Sequence, residues 1–411
     1  MSETIYLCIS MKHLVIIGMV VPEPGSTAAG IRMMQLVEVF REWNYRITLL
    51  TSAQPTAFSA DISAVQIQLN DSTFDEQIRQ LNPDAVLFDR YVSEEQFGWR
   101  VAENCPEAVR ILDTEDLHFL REARRKAFSE GREATPEDLS NDIFIREIAS
   151  ILRSDLSLII SEFEYHLLIS NFKISEKILF YLPFVSEYPD QSFRKFTERN
   201  HFISIGNFRH EPNWKTVLEL KKIWPSIRYQ LPDAEMHIYG AYISDKVFQL
   251  HNEKEGFVIK GRAGNVAELF EKYRVLLAPI PFGAGLKGKL WESMMYGLPN
   301  VTSSMGAEGM HFENLWNGFI EDHPAQFVDK AVLLYTHEKI WNSAQHNGFQ
   351  ILENKFRKLY FVPLFRAFLD DISQKLRQHR TENYLGRLLS HQSMNATKYM
   401  SRWIEEKNRR K

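Results

Sequence analysis

The chain has 411 residues, 44% of them hydrophobic and 25% charged, with a formal charge of −4 and two cysteines. That length holds two domains of ordinary size, and the near-neutral charge gives no general case for nucleic-acid binding. Cys8 and Cys105 are too few for a disulfide framework or a cysteine metal site and fit a reducing cytosol. No apolar run approaches the roughly 20 residues needed to span a bilayer. The opening MSETIYLCIS lacks the charged start, apolar stretch and cleavage site of a signal peptide, and Met11 is a candidate natural start.

The first half alternates short apolar strands with helical patterns. Strands are expected at Leu14–Val21, Arg46–Thr51, Val65–Leu69, Ala85–Asp89, Val109–Asp113, Leu156–Ser161 and Ile178–Pro183, with amphipathic helices such as Ile31–Trp43 and Glu94–Asn104 between them. This alternation argues a parallel sheet covered by helices on both faces. The charged insert Phe119–Arg153 reads as a helical hairpin turning at Gly131–Asp138. Residues 186–200, polar and carrying Pro189, read as a linker between a first domain at 11–185 and a second at 201–345.

In the second domain alternation restarts, with strands expected at His201–Gly206, Glu235–Gly240, Phe257–Gly261, Val275–Ile280, Asn300–Ser304 and Phe319–Glu321. Two successive doubly wound α/β units place ligands beyond the carboxyl ends of their strands, so the natural active site is the cleft between them. Residues 346–411 are helical in pattern, with Pro363 as a kink or break and Phe349–Arg377 amphipathic enough to pack on the body. From residue 372 onward ten Lys/Arg face three Asp/Glu, about +7 against about −11 for the rest. Tyr384, Leu388, Leu389, Tyr399 and Trp403 interleave with those bases. Such a tail suits contact with an anionic membrane carrying a lipid-linked acceptor; a solvated terminal helix or partner-binding arm is the favoured reading.

The stretch Arg274–Ser304 carries the chemistry. Its apolar strand runs into Gly283, Gly285 and Gly288, then a helix from about Lys289 to Tyr296 that Gly297 and Pro299 end. Such a turn aims backbone N–H groups and the positive end of a helix dipole at one spot, which suits a phosphate. Lys287 and Lys289 sit there, although a lysine in a first helical turn opposes the dipole; that conflict marks the place as functional. Glu292, three residues after Lys289, shares its helix face and is able to accept two hydrogen bonds from a ribose.

FGAGLKGKLWESMMYGLPNVTSSMGAEG closely resembles the donor-site block of GT-B glycosyltransferases, in the group 1/family 4 class. FISIGNFRHEPNWKTVLEL, MHIYG, VIKGRAGNVAELF and VLLAPIPFGAG follow in that family's order and spacing, so the likeness is strong over roughly residues 200–340 and weak over 11–52 and 155–185. It implies the GT-B fold, two Rossmann-like domains facing a central cleft, here with a helical C-terminal extension. It also implies a glycosyltransferase using a nucleotide-diphosphate sugar, with a glycan or lipid-linked acceptor held mainly by the first domain. Gly206 and Asn207 would meet the phosphates; the family's usual loop Arg and Lys are absent, Asn207 standing in for the Arg, with Arg209 and Lys215 nearby. Gly261–Ala263, including Arg262, would meet the base; Gly283–Gly285 would face sugar and diphosphate; Lys287 or Lys289 would neutralise the phosphates and Glu292 would hold the ribose. Many members carry a glutamate eight residues before the ribose-binding one, where this chain has Ala284, so it reads as a subgroup with a GAGLKGK turn.

In the first domain, the loop Pro22–Gly30, with Gly25, Ser26 and Gly30, sits where these enzymes face donor and acceptor, and Arg32 is similar in placement to a family arginine. LDTEDLH at Leu112–His118 ends the fifth strand and points into the expected cleft. Asp116 and His118 are the catalytic candidates beside Lys289, against a reading of Asp113 or Thr114 as helix caps. Glu162, Glu164 and Glu308 are weaker candidates. No His or carboxylate spacing matches a metal-ligand set, and the GT-B class stabilises a leaving diphosphate with helix dipoles and lysines, so no metal or cofactor is expected. Three rivals remain: a sugar-nucleotide epimerase or phosphorylase on the same frame, an inactive nucleotide-sugar-binding subunit, and a dinucleotide oxidoreductase. Against the last, neither first βα turn reads G-x-G-x-x-G.

Overall fold

The computed structural model describes residues 11–54, 62–187 and 193–409. Cys8, the start before Met11, Pro189 of the linker and the last two bases therefore lie outside the described residues.

Seven strands form the first sheet: β1 (His13–Gly18), β2 (Arg46–Thr51), β3 (Ser63–Gln66), β4 (Ala85–Asp89), β5 (Val109–Asp113), β6 (Leu156–Ile159) and β7 (Leu179–Tyr181). All pair in parallel, in the order β3-β2-β1-β4-β5-β6-β7. Six more form the second: β8 (Asn200–Ile205), β9 (Met236–Tyr239), β10 (Phe257–Gly261), β11 (Tyr273–Ala278), β12 (Asn300–Thr302) and β13 (Gly318–Ile320), parallel in the order β10-β9-β8-β11-β12-β13. Both are doubly wound, with the order reversing beside β1 and beside β8.

The apolar runs are continuous because each sheet is covered twice. Along β1, Leu14 and Ile16 enter one core with Phe40 and Phe365, while Val15 and Ile17 enter the other with Phe97 and Ile151. The period of two in a strand divides one run between two cores. The second domain repeats this, with Trp224 and Trp341 in one core and Leu276, Leu290 and Met294 in the other.

The terminal helices are shared between the domains. Glu338–Lys355 packs on the second, where Trp341 is fully buried and donates to the Arg274 carbonyl at 2.6 Å. Lys358–Gln374 returns to the first and seats Phe365 among Phe40, Trp43 and Phe180. Truncating such a buried ring costs about 3–5 kcal/mol. Of the kink or break expected at Pro363, the break is not there, since that proline lies inside the helix; the chain breaks at Phe356–Arg357 instead. There Ser186 N donates to the Phe356 carbonyl and Lys358 N to the Ser186 carbonyl, both at 2.8 Å, so the two crossings between domains run side by side.

The basic tail is an arm clamped to the first domain. Arg380 grips buried Asp155 through two contacts of 2.8 and 2.7 Å, Lys398 pairs with Glu103, and Glu405 accepts from Ser72 Oγ at 2.6 Å. The final helix, Tyr384–Arg409, thus buries Met394 and Ser401 and turns Tyr384, Leu388, Tyr399 and Trp403 outward.

Candidate functional site

A cleft of about 290 Å³ lies between the carboxyl ends of the two sheets. Among the expected residues, Gly25, Ser26, Asp116, His118, Gly206, Asn207, Arg262, Gly283, Ala284, Lys287, Lys289 and Glu292 line it.

Two helix N-termini meet at this cleft. In the first domain, Thr27 caps the helix Ala28–Glu42 by accepting from Gly30 N at 2.9 Å, and Ser26 Oγ donates to Glu23 at 2.5 Å. Gly30 holds the loop rather than lining the cleft, since a Cβ there would stand 2.3 Å from the Glu23 carbonyl carbon. In the second domain the helix Gly288–Met295 starts beside it. A Cβ on Gly288 would lie 2.7 Å from the Ala28 Cβ, so only glycine lets the two ends come this close. Neither helix has an acidic residue in its first turn, which leaves both positive ends uncompensated.

The lysines add to that field in different ways. Lys289 Nζ donates to Asn213 Oδ1 at 2.8 Å, and burial, with Lys287 next to it, draws its pKa down to about 8. Lys287 curls back and donates to the Ala284 and Gly285 carbonyls at 3.1 and 2.6 Å; burial lowers it too. Burial raises Glu292 to about 7, with Lys289 opposing. Asn207 ties in through Asn213, whose Nδ2 donates to its carbonyl at 2.9 Å.

The first-domain wall is built at the ends of β4 and β5. Arg90 and Glu115, immediately beyond or near those ends, hold φ of 67° and 63°, unusual for residues with a side chain. Asp116 lies 3.2 Å from His118 Nε2 and 2.5 Å from Arg121. Burial pushes the Asp116 carboxyl upward, but Arg121 and His118 outweigh it and hold it well below the usual range. Deeper in, Glu164 accepts from Leu117 N at 3.2 Å and from Gly285 N at 2.7 Å, and burial raises it to about 7.

Other expected positions lie off the cleft lining. Arg32 is a core residue, 1% exposed, paired with Asp113 at 3.2 Å and donating to the Leu182 and Pro183 carbonyls. That partner ends β5, so Arg32 fastens the first helix to the sheet. Arg209 stacks over Tyr242 at 3.6 Å, whose hydroxyl donates to Glu23 across the domains at 2.7 Å. Gly285 packs on Asp116, and Gly30 is internal to its loop. Glu162 and Glu308 are interdomain partners, of Lys355 at 2.6 Å and of Arg124 at 2.7 Å. Ala284, where a carboxylate was the family pattern, packs into a core of the first domain. A charge there would be buried among apolar groups.

Sequence reading missed Arg90, Arg121, His210 and Asn213 as cleft residues. Arg90 directly follows β4, a position that the strand-end rule singles out. Asn213 lies inside the quoted HEPNWK string, but its partner Lys289 is far along the chain. No cluster of three or more His, Cys, Asp or Glu suited to a metal occurs among the described residues.

Residues 199–337 match the family of group 1 glycosyl transferases. No curated protein matches the chain in sequence. Among solved structures, Anabaena Alr3699/HepE in complex with UDP and glucose is similar with a TM-score of 0.68 at 12% identity, covering 88% of this chain and 100% of that one. A glycosyltransferase from Rickettsia africae gives 0.64 at 11%, over 88% and 99%. An S. aureus TarM mutant in complex with fondaparinux, alpha-GlcNAc-glycerol and UDP gives 0.57 at 13%, over 72% of this chain; the chain spans 57% of that protein's length. At these identities the likeness establishes the fold, the two-domain GT-B architecture. Within it, the part of the chain that matches the group 1 glycosyl transferase family is the second domain.

Proposed function

We propose that the chain transfers a sugar from a nucleotide-diphosphate donor to a glycan or lipid-linked acceptor. One observation carries the reading: two helix N-termini, at Ala28 and Gly288, converge on a cleft beside Lys289, with Glu292 one helical turn away. As the bond from the sugar's anomeric carbon to the diphosphate breaks and a bond to the acceptor oxygen forms, negative charge grows on the diphosphate, whose freed oxygen takes the acceptor hydroxyl's proton. The helix ends, Lys289 and the turn N–H groups meet that charge. Lys287, spent on turn carbonyls, adds charge at second hand. Gly206 and Asn207 approach the phosphates, Glu292 takes the ribose, and Arg262 with Ala263 flanks the base. The UDP in the Anabaena and S. aureus structures supports a nucleotide in a cleft of this architecture.

Retention of configuration is the favoured outcome. Asp116, the carboxylate candidate on the first-domain wall, is fixed between Arg121 and His118 and is held low in pKa, which makes it a weak base. Its role is to orient His118 toward the bound substrates. The outward row Tyr384, Leu388, Tyr399 and Trp403 supports peripheral contact with the cytoplasmic face of a membrane, where a lipid-linked acceptor would lie. Among described residues no helix is long and apolar enough to cross one.

Product analysis tests the proposal. Incubation with a panel of nucleotide sugars and candidate acceptors is expected to release nucleotide diphosphate only when glycosylated product forms. Conversion of a donor alone into a second nucleotide sugar would identify an epimerase instead. Donor binding without release or transfer would identify an inactive binding subunit.

A further inference from the structure

The Gly283–Gly285 turn belongs to the second domain, yet groups of the first domain hold its backbone. Arg124, on the helix His118–Ser129, donates through Nη1 to the Gly283 carbonyl at 2.9 Å. The same guanidinium grips Glu308 at 2.8 and 2.7 Å. Two residues on, Gly285 takes a φ of 61° and donates its N–H to Glu164 at 2.7 Å. Glu164 is fully buried, and the same oxygen accepts from Leu117 N at 3.2 Å, so its position is fixed within the first domain. Gly285 also sits where a Cβ would come 2.7 Å from Asp116, and Ala284 enters the first domain's core.

A glycine in the left-handed region is the least committed point of a backbone. Without outside contacts this turn would sample many shapes, and its N–H groups would lose their common aim. We propose that Glu164 and Arg124 are positioning residues for the donor site, fixing the Gly283–Gly285 backbone so that the site is complete only when the domains are closed. Neither touches the ligand; each acts through the turn. The inference rests on the donor-site reading for its kinetic arm alone.

Two measurements test it. The first is hydrogen–deuterium exchange of peptides spanning residues 282–290 in the ligand-free full chain. Glu164→Ala and Arg124→Ala are each expected to raise exchange there at least tenfold, while Arg125→Ala, on the outer side of the same helix, leaves it unchanged. Glu164→Gln keeps an acceptor oxygen for the two N–H groups and is expected to behave as wild type. Unchanged exchange in both alanine variants, or an equal rise throughout the chain, overturns the proposal. The second is steady-state turnover with the donor found by product analysis. Glu164→Ala is expected to lower kcat at least tenfold while donor KM shifts under threefold, and Glu164→Gln to restore kcat. Equal kcat in Glu164→Ala and wild type overturns it. If the wild type turns over no nucleotide sugar and local exchange still rises, the positioning claim stands and the donor reading falls.

Discussion

Lys289 Nζ stands 2.8 Å from Asn213 Oδ1, joining the first turn of the helix Gly288–Met295 to that of the helix Glu211–Gln230. Asn213 in turn donates to the Asn207 carbonyl, and a Cβ on Gly206 would lie 2.7 Å from the Asn213 side chain. A lysine that opposes its own helix dipole is therefore held in place by an amide at a second helix start, facing the space between.

Replacing Lys289 follows directly. Lys289→Ala removes the cation aimed at the leaving diphosphate, and loss of one such stabiliser costs about 3–4 kcal/mol in turnover, roughly 100-fold or more. Steady-state kinetics against Lys287→Ala checks the assignment. The Lys287 variant is expected to lose less, because its ammonium already serves the Ala284 and Gly285 carbonyls.

Nucleotide affinity should peak between about pH 7 and pH 8. Below about 7 Glu292 holds a proton and accepts poorly from a ribose; above about 8 Lys289 loses its charge. Calorimetric titration across pH 6–9 would show both limbs. Lys289→Arg, always charged, is expected to abolish the alkaline limb and leave the acid one.

Global stability carries its own pH signature. Burial raises Glu147, which accepts from Phe119 N at 3.0 Å, to about 8 from a reference of 4.5. Between those values the folded chain keeps a proton that the unfolded chain has lost. Stability therefore falls as pH rises through this window, by at most ~1.4 kcal/mol per pH unit. Urea melts of Glu147→Gln are expected to show a shallower slope from pH 5 to pH 8; an identical slope would assign it elsewhere, among Glu164, Glu292, Glu115 and Asp89, which burial also raises.

Gly288 sets how closely the domains approach. Gly288→Val places a branched side chain against Ala28, whose Cβ is already 2.7 Å from a single added carbon. The variant is expected to fold, to stay more open by small-angle scattering, and to lose over tenfold in turnover.

The outer face of the final helix predicts vesicle binding. Full-length chain should co-sediment with anionic vesicles, and Tyr399→Ser/Trp403→Ser should lose most of it, since each ring exposes about 60% of its surface. Equal sedimentation of both would remove the membrane contact.

Much of this architecture was legible before the structure. β2, β4, β5 and β10 span the residues expected of them, because each carries a short apolar run that the sheet buries. β6 and β7 are shorter than their runs, since pairing partners give out before hydrophobicity does. The glycine turn, Lys289 and Glu292 were readable as cleft residues because one stretch carries them all. Glu164, Arg124 and Arg32 were not readable as partners. Gly285 lies 121 residues from Glu164, and Glu308 lies 184 from Arg124, separations across which local periodicity carries no signal. The break at Phe356–Arg357 depends on Ser186, 170 residues earlier, whereas the helix that contains Pro363 continues past it.

Ligand-induced stabilisation tests the central claim most directly. A thermal-shift screen of the wild type and Lys289→Ala across nucleotide-diphosphate sugars requires no knowledge of the acceptor, because a ligand that binds only the folded chain stabilises it by about 2.7 kcal/mol at 100 times its Kd. The account predicts that at least one nucleotide-diphosphate sugar raises the wild-type Tm by several degrees and that Lys289→Ala loses most of that shift. No shift with any donor, or an equal shift in both proteins, would contradict it.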